Sequence, residues 1–248
     1  MCTVVILRRP GSPWPLILGA NRDENVTRPW LPPRRHWPDR PDVVAGLDQL
    51  AGGTWLGLND SGVLAAVMNR EGTLGPDPER RSRGELVLEA LDHPDADLAA
   101  ASLRHLQSQA YRAFNLIIAD NRDAYWLKST GEGEIAVTPI EPGLSMLTAR
   151  DLNDTSSARI AAHLPRFAAA EAPEPWAEEW GEWETLMAAG PPEGTDSPRA
   201  AMAIAPLGGY GTVSGSLIAL PLDMAENRPI WRFCAGPPGT ARYALVNA

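Results

Sequence analysis

Three pairs of short apolar segments, each joined by a compact polar turn, constrain this chain more than anything else in its sequence. Residues 3–7 are rich in β-branched side chains and read as a buried strand, because branching at Cβ favours extended backbone. Arg9-Pro-Gly-Ser-Pro13 then turns the chain into a second strand at 16–18. Segments 54–58 and 63–68 flank Asn59-Asp-Ser-Gly62, and segments 114–119 and 124–127 flank Asp120-Asn-Arg-Asp123. Asn, Asp, Ser and Gly close tight turns through local hydrogen bonds and left-handed backbone, so both read as hairpins. Further strands are expected at 135–140, 145–148, 215–220, 229–234 and 242–246. Helical spacing falls in two blocks. The first is 83–110, broken near Asp92-His-Pro94. The second is 155–170, with Ile160, Leu164 and Phe167 on one face, followed by a helix whose stripe of Trp176, Trp180, Trp183 and Met187 reads as core. The acidic residues between those tryptophans read as the solvated side. Residues 26–41 hold five prolines and read as an ordered loop. Strands in hairpins with helices in two blocks predict an α+β or layered αββα fold with largely antiparallel sheets, not a doubly wound parallel one. No internal repeat and no dividing linker is present, so one domain over 1–248 is expected.

Composition excludes several functions. The chain has 22 basic and 31 acidic residues, a net charge of −9, and no Lys/Arg run longer than two. It lacks the basic face a nucleic-acid binder needs. No apolar stretch approaches the roughly 18 residues of a membrane helix, and neither a secretory nor a twin-arginine signal is evident. The two cysteines, Cys2 and Cys234, form no disulfide framework and suit a reducing, cytoplasmic setting. His36, His93, His105 and His163 show no metal-ligand spacing, so no metal site is expected. Gly208-Gly-Tyr-Gly211 matches no phosphate-cradling motif.

Three places carry candidate chemistry. Initiator methionine is normally removed before a small second residue, which would leave Cys2 with both a thiol and a free α-amine. The amine titrates near ~8 and the thiol near ~8.5, so the amine can serve as base for its own side chain. Asn21-Arg-Asp-Glu24 follows the second strand, and a hairpin would return it beside residue 2, where Asp23 could anchor the Cys2 amine. In extended backbone Asn21 and Asp23 share one face, Arg22 and Glu24 the other. Asn69 ends the 63–68 strand, a natural place for an oxyanion donor.

Met-Cys-Thr at the start, Gly19-Ala-Asn-Arg-Asp-Glu24 with Arg28-Pro29, Gly52-Gly-Thr-Trp-Leu-Gly-Leu-Asn59, Asn69-Arg70, Ser82-Arg-Gly84, Phe114-Asn-Leu116 and Tyr210-Gly-Thr212 together resemble the NRDE family, also called the transport-and-Golgi-organisation family. That family is in turn similar to the choloylglycine and penicillin V acylase branch of N-terminal-nucleophile hydrolases. Gly19, Asn21 and Asp23 match its strand end, and Asn59, Gly62 and Asn69 its turn spacing. The resemblance implies a four-layer αββα sandwich. It implies Cys2, Asp23 and Asn69 as catalytic residues, with Asn21, Arg22, Glu24, Asn59 and Arg70 around the substrate. Three positions depart. The acylases place arginine where Ala20 stands, and the NRDE family commonly has Asn at Ala149 and Arg at Val213. Two functions follow as expectations. One is cysteine amidohydrolase activity on a small non-peptide amide, without a cofactor. The other is non-catalytic carriage of a hydrophobic ligand, in haem trafficking or acyl-coenzyme A and lipid handling.

Overall fold

The computed structural model describes residues 2–75, 77–177, 180–195 and 197–247. It opens with the expected hairpin. β1 (Thr3–Arg8) runs antiparallel to β2 (Leu16–Asn25), with Thr3 opposite Asn21 and Arg8 opposite Leu16. β2 is longer than its apolar pattern indicates: Asn21-Arg-Asp-Glu24, expected after the strand, lies inside it. These polar residues stay extended because β11 pairs along all four of them, while β1 reaches only as far as Asn21.

The chain divides into two compact units. One holds residues up to Thr27 and Pro142–Val246, the other Arg28–Glu141. The second unit contains β3 (Trp30–Arg34), β4 (Val43–Asp48), β5 (Leu56–Asn59), β6 (Leu64–Asn69), α1 (Gly84–Leu91), α2 (Ala96–Leu103), β7 (Phe114–Ala119), β8 (Ala124–Ser129) and β9 (Ala136–Pro139). The strands form one sheet in sequence order, every neighbouring pair antiparallel. β3 corrects the loop expected over 26–41. It is an edge strand, where Pro32 and Pro33 cost no ladder bond, and its register shifts between Leu31 and Arg34. One face of the sheet buries Val43, Ala45, Leu116, Ile118 and Leu127 against Leu86, Val87 and Leu91 of α1 and Ala99 and Leu103 of α2. The break between the helices falls at residues 92–95, where Asp95 caps α2 by accepting from Leu98 N at 2.8 Å.

Two glycine motifs of this unit are one contact. A Cβ on Gly53 would sit 2.7 Å from the main-chain carbon of Gly84, and one on Gly84 would sit 2.9 Å from Thr54 N. Only glycine lets the two backbones meet, and Thr54 N donates to Gly84 O at 3.2 Å.

The first unit is completed by β10 (Gly143–Leu147), α3 (Ala158–Ala169), α4 (Trp183–Met187), β11 (Tyr210–Leu220), β12 (Ile230–Cys234) and β13 (Tyr243–Leu245). Its sheet has the order β10-β1-β2-β11-β12-β13, again antiparallel throughout. One face packs Val5, Ile17, Leu217 and Ala219 against Ile160 and Phe167 of α3 and Trp183, Leu186 and Met187 of α4. The tryptophan-bearing helix is shorter than its periodicity predicts. A single 3-10 turn spans Pro175–Ala177, Gly181 takes the left-handed φ of +52°, and the α-helix begins only at Trp183. Trp180, Trp183 and Met187 are buried as expected, whereas Trp176 is 54 % exposed and packs against Trp14, the rings tilted by 51° with centroids 4.6 Å apart. Of the acidic residues between the tryptophans, Glu178 and Glu179 lie outside the described residues, as does Met1.

Candidate active site

Alternation along β2 sends Asn21-Arg-Asp-Glu24 to opposite faces of its sheet. Asn21 faces the helices and spends both amide hydrogens on main-chain carbonyls, Met187 O at the end of α4 and Met202 O, each at 2.9 Å. It thereby ties the strand to the helical layer. Asp23, two residues on, is the centre of a buried polar network. Its Oδ1 accepts from Thr212 Oγ1 at 2.5 Å, and its Oδ2 from Arg159 Nη1 at 2.9 Å. The same Arg159 nitrogen donates to Thr3 Oγ1. The Arg159 and Asp23 side chains are 2 % and 0 % exposed. β1, β2, β11 and α3 are thus joined at one carboxylate.

The main-chain carbonyl of Asp23 is the acceptor shared by two chemically active groups. Tyr210 Oη donates to it at 2.8 Å, and the half-buried Cys2 Sγ lies 3.8 Å from it. Burial pushes the Cys2 thiol up from its ordinary range, and the Asp23 carboxylate pushes the same way. The positive charge of the amino terminus, then the hydrogen bond to Asp23 O and the positive charge of Arg22, oppose this without cancelling it. Burial also raises the Tyr210 hydroxyl, with Cys2, Asp23 and Glu24 adding to the effect, so Tyr210 is a donor at any working pH. Arg22 is buried in the strand opposite Ser214. Glu24 is half-buried and its Oε1 accepts from Asn25 N at 2.8 Å.

The structure therefore brings Cys2 to the motif through the Asp23 carbonyl. The Asp23 carboxylate, expected at the Cys2 amine, is held by Arg159 and Thr212. Three contributors went unnoticed in the sequence. Thr212 and Tyr210 sit in a motif read only for its resemblance. Arg159 had a physical signal: it stands four residues before His163 and eight before Phe167, on the buried stripe of α3, where a charge needs a partner. The two positions that depart from the family are both apolar here. Ala149 is buried, and Val213 is the bulged residue where the β2–β11 register slips between Thr212 and Ser214.

The remaining candidates belong to the second unit. Asn59 donates to Leu91 O at 2.9 Å and His93 O at 2.8 Å and accepts from Val63 N at 2.8 Å. One amide hydrogen is spent on the last residue of α1 and the other on the turn after it, so this carboxamide clamps a hairpin to a helix end. Asn69 stands at the end of β6 opposite Phe114, and its carboxamide has no hydrogen-bond partner among the described residues. Arg70 Nη1 donates to the buried Asn115 Oδ1 at 2.8 Å, which also accepts from Trp126 Nε1 at 3.1 Å. Among the described residues, no group of three or more His, Cys, Asp and Glu side chains could hold a metal ion. No helix among them is long and apolar enough to cross a membrane.

The family model for Transport and Golgi organisation 2 matches residues 1–178, which includes Cys2, the β2 motif and Arg159. The chain belongs to this family. A relative from Mus musculus, the Transport and Golgi organization 2 homolog, is 36 % identical over 141 residues, 52 % of this chain and 50 % of the relative. The chain thus spans about half the length of the curated relatives it matches. Among solved structures, the Caenorhabditis elegans N-acylethanolamine-hydrolyzing acid amidase ortholog superposes with a TM-score of 0.56 at 12 % identity, covering 88 % of this chain and 92 % of its own. The C2A mutant of the conjugated bile acid hydrolase from Clostridium perfringens superposes with a TM-score of 0.57 at 10 % identity, covering 100 % and 92 %. Both have the N-terminal-nucleophile hydrolase fold, and this family member shares it; its α+β architecture with two antiparallel sheets agrees with that.

Proposed function

We propose that this protein is a cysteine amidohydrolase that acts on a small non-peptide amide in the cytoplasm, with Cys2 as nucleophile once Met1 has been removed. The observation that carries the reading is the meeting of the Cys2 thiol and the Tyr210 hydroxyl at the Asp23 carbonyl, with the Asp23 side chain clamped behind it by Arg159 and Thr212. The fold shared with an acid amidase ortholog and a bile acid hydrolase supports it.

In this reading the new α-amine of Cys2 takes the thiol proton, and the sulfur attacks the amide carbonyl carbon. The amine of the substrate leaves with a proton, and water cleaves the resulting thioester to the acid. The raised thiol of Cys2 makes the α-amine necessary, since without a nearby base little thiolate would form near neutral pH. The buried Arg22 adds positive charge beside the sulfur. The mass of the purified protein and a panel of β-lactams and simple amides test the proposal. A covalent adduct on Cys2 in chain lacking Met1 supports it. Retained Met1, or a processed chain that no acyl donor labels, defeats it.

Ala149 and Val213 favour a second reading, carriage of a hydrophobic ligand such as haem, an acyl-coenzyme A or a lipid. Both put apolar side chains where the wider family commonly has polar ones. Carriage needs no free Cys2 amine, so Cys2→Ser separates the two: it abolishes hydrolysis and leaves carriage intact.

A further inference from the structure

The helix-covered face of the first unit's sheet leads, strand by strand, to a cleft that the Cys2 chemistry does not use. Residues directly opposite in antiparallel strands point to the same face. Thr3, Asn21, Gly215, Cys234 and Tyr243 form one such row across β1, β2, β11, β12 and β13. At its far end a cleft of about 540 Å³ opens, lined by Glu184 of α4 and Ala188 just after it, Arg232 of β12, and Ala241, Arg242 and Tyr243 at β13. That volume is ordinary for a site that takes a small molecule.

The charges in the cleft are unbalanced. Arg232 Nη1 donates to Glu184 Oε1, and the Arg232 guanidinium stands 6.0 Å from the centre of the Tyr243 ring, so it is both neutralised and held in place. Arg242 has no carboxylate partner among the described residues. Two guanidinium groups against one carboxylate leave a net positive charge in a concave place on a chain whose net charge is −9. A second, neutral observation points the same way. The Tyr243 hydroxyl is buried and has no hydrogen-bond partner among the described residues, and neither has Asn21 Oδ1 farther along the row. Both approach the bare face of Gly215, where a Cβ would lie 2.7 Å from the hydroxyl and 3.3 Å from Asn21 Oδ1. Buried polar atoms are normally satisfied, so an orphaned hydroxyl at a cleft marks where a ligand atom or water belongs. Burial, with Cys234 and Glu184 nearby, raises the Tyr243 pKa, which keeps the hydroxyl a donor.

We propose that this cleft binds a compact organic carboxylate. The planar fork of Arg242 matches a carboxylate in shape and charge, with the Glu184-held Arg232 beside it. Ala188, Ala241 and the Tyr243 ring take its apolar body, and the Tyr243 hydroxyl donates to an acceptor on it. A monocarboxylate brings the cleft to neutrality, whereas a phosphate dianion would overshoot.

The experiment is a calorimetric titration of the full chain with benzoate and octanoate, with inorganic phosphate as the competing oxyanion. Binding of either carboxylate is expected, weakened about tenfold or more by Arg242→Gln through loss of a charge-assisted contact. Tyr243→Phe should weaken it about fivefold and leave the melting temperature unchanged or higher, since its hydroxyl has no protein bond to lose. Both variants should alkylate at Cys2 at the wild-type rate. No binding of either carboxylate up to about 10 mM, a range that already covers weak sites, overturns the proposal. So does unchanged affinity in a folded Arg242→Gln variant, or displacement of benzoate by equimolar phosphate.

Discussion

Replacing Arg159 by methionine keeps most of the volume of the side chain and removes its charge. Asp23 is then left in a site where its own side chain is 0 % exposed, with Thr212 as its remaining neighbour from that network, and Thr3 Oγ1 loses its donor. Removing one partner of a buried ion pair costs about 3–5 kcal/mol, because the other charge stays buried with its compensation reduced. For a chain of this size each kcal/mol is worth about 2–4 °C in melting temperature, so a fall of about 6–20 °C is expected. The double variant Arg159→Met with Asp23→Asn removes both charges and should recover most of the loss, since a buried pair is often replaceable as a unit. Thermal melts and urea titrations of the four proteins in the cycle measure this. A drop of less than about 3 °C in Arg159→Met, or a double variant no more stable than the single one, would refute the claim that this pair is closed off from water.

Other outcomes follow from single contacts. Gly84→Ala forces a methyl group to 2.9 Å from Thr54 N and should cost about 1–3 kcal/mol, read by urea unfolding; an unchanged midpoint would mean the backbones do not meet. His163 is buried, its Nε2 donates to Ala200 O at 2.8 Å and its Nδ1 accepts from Arg166, and burial lowers its pKa below the ordinary value near 6.5. A depressed folded pKa means the unfolded chain binds the proton first, so this contribution to stability is complete above pH ~6.5 and is lost as pH falls below it. His163→Gln should flatten stability against pH between about 5 and 7, and an unchanged profile would place the titration elsewhere. Iodoacetamide should modify half-buried Cys2 before buried Cys234, with a rate that rises into alkaline pH while Met1 is present and at lower pH once it is removed; equal rates at both thiols would argue against an activated nucleophile.

Strand existence and the antiparallel pattern were legible in the sequence, because β-branched runs and Asn/Asp/Gly turns act locally. The hairpins at β1–β2, β5–β6 and β7–β8 needed no distant information. Local signals failed where a neighbour overruled them. Asn21-Arg-Asp-Glu24 has no apolar alternation, yet stays extended because β11, distant in sequence, pairs along all of it. The tryptophan stripe has helical spacing, yet the helix shortens at Gly181, and the exposed Trp176 packs at a tilt against Trp14. Cys2, the β2 motif and their family resemblance were visible as residue types at fixed spacing. What those side chains bond to was not. Asn59 resembled a site residue and clamps a helix end, and Asp23 meets Arg159 across 136 positions of chain. Sequence by itself determined which segments extend, which turn, and that a cysteine stands where an N-terminal nucleophile would. Only the tertiary structure decided the partners of the buried polar groups. A buried charge must find compensation, and which distant residue supplies it depends on the register of strands and the packing of helices rather than on any local preference.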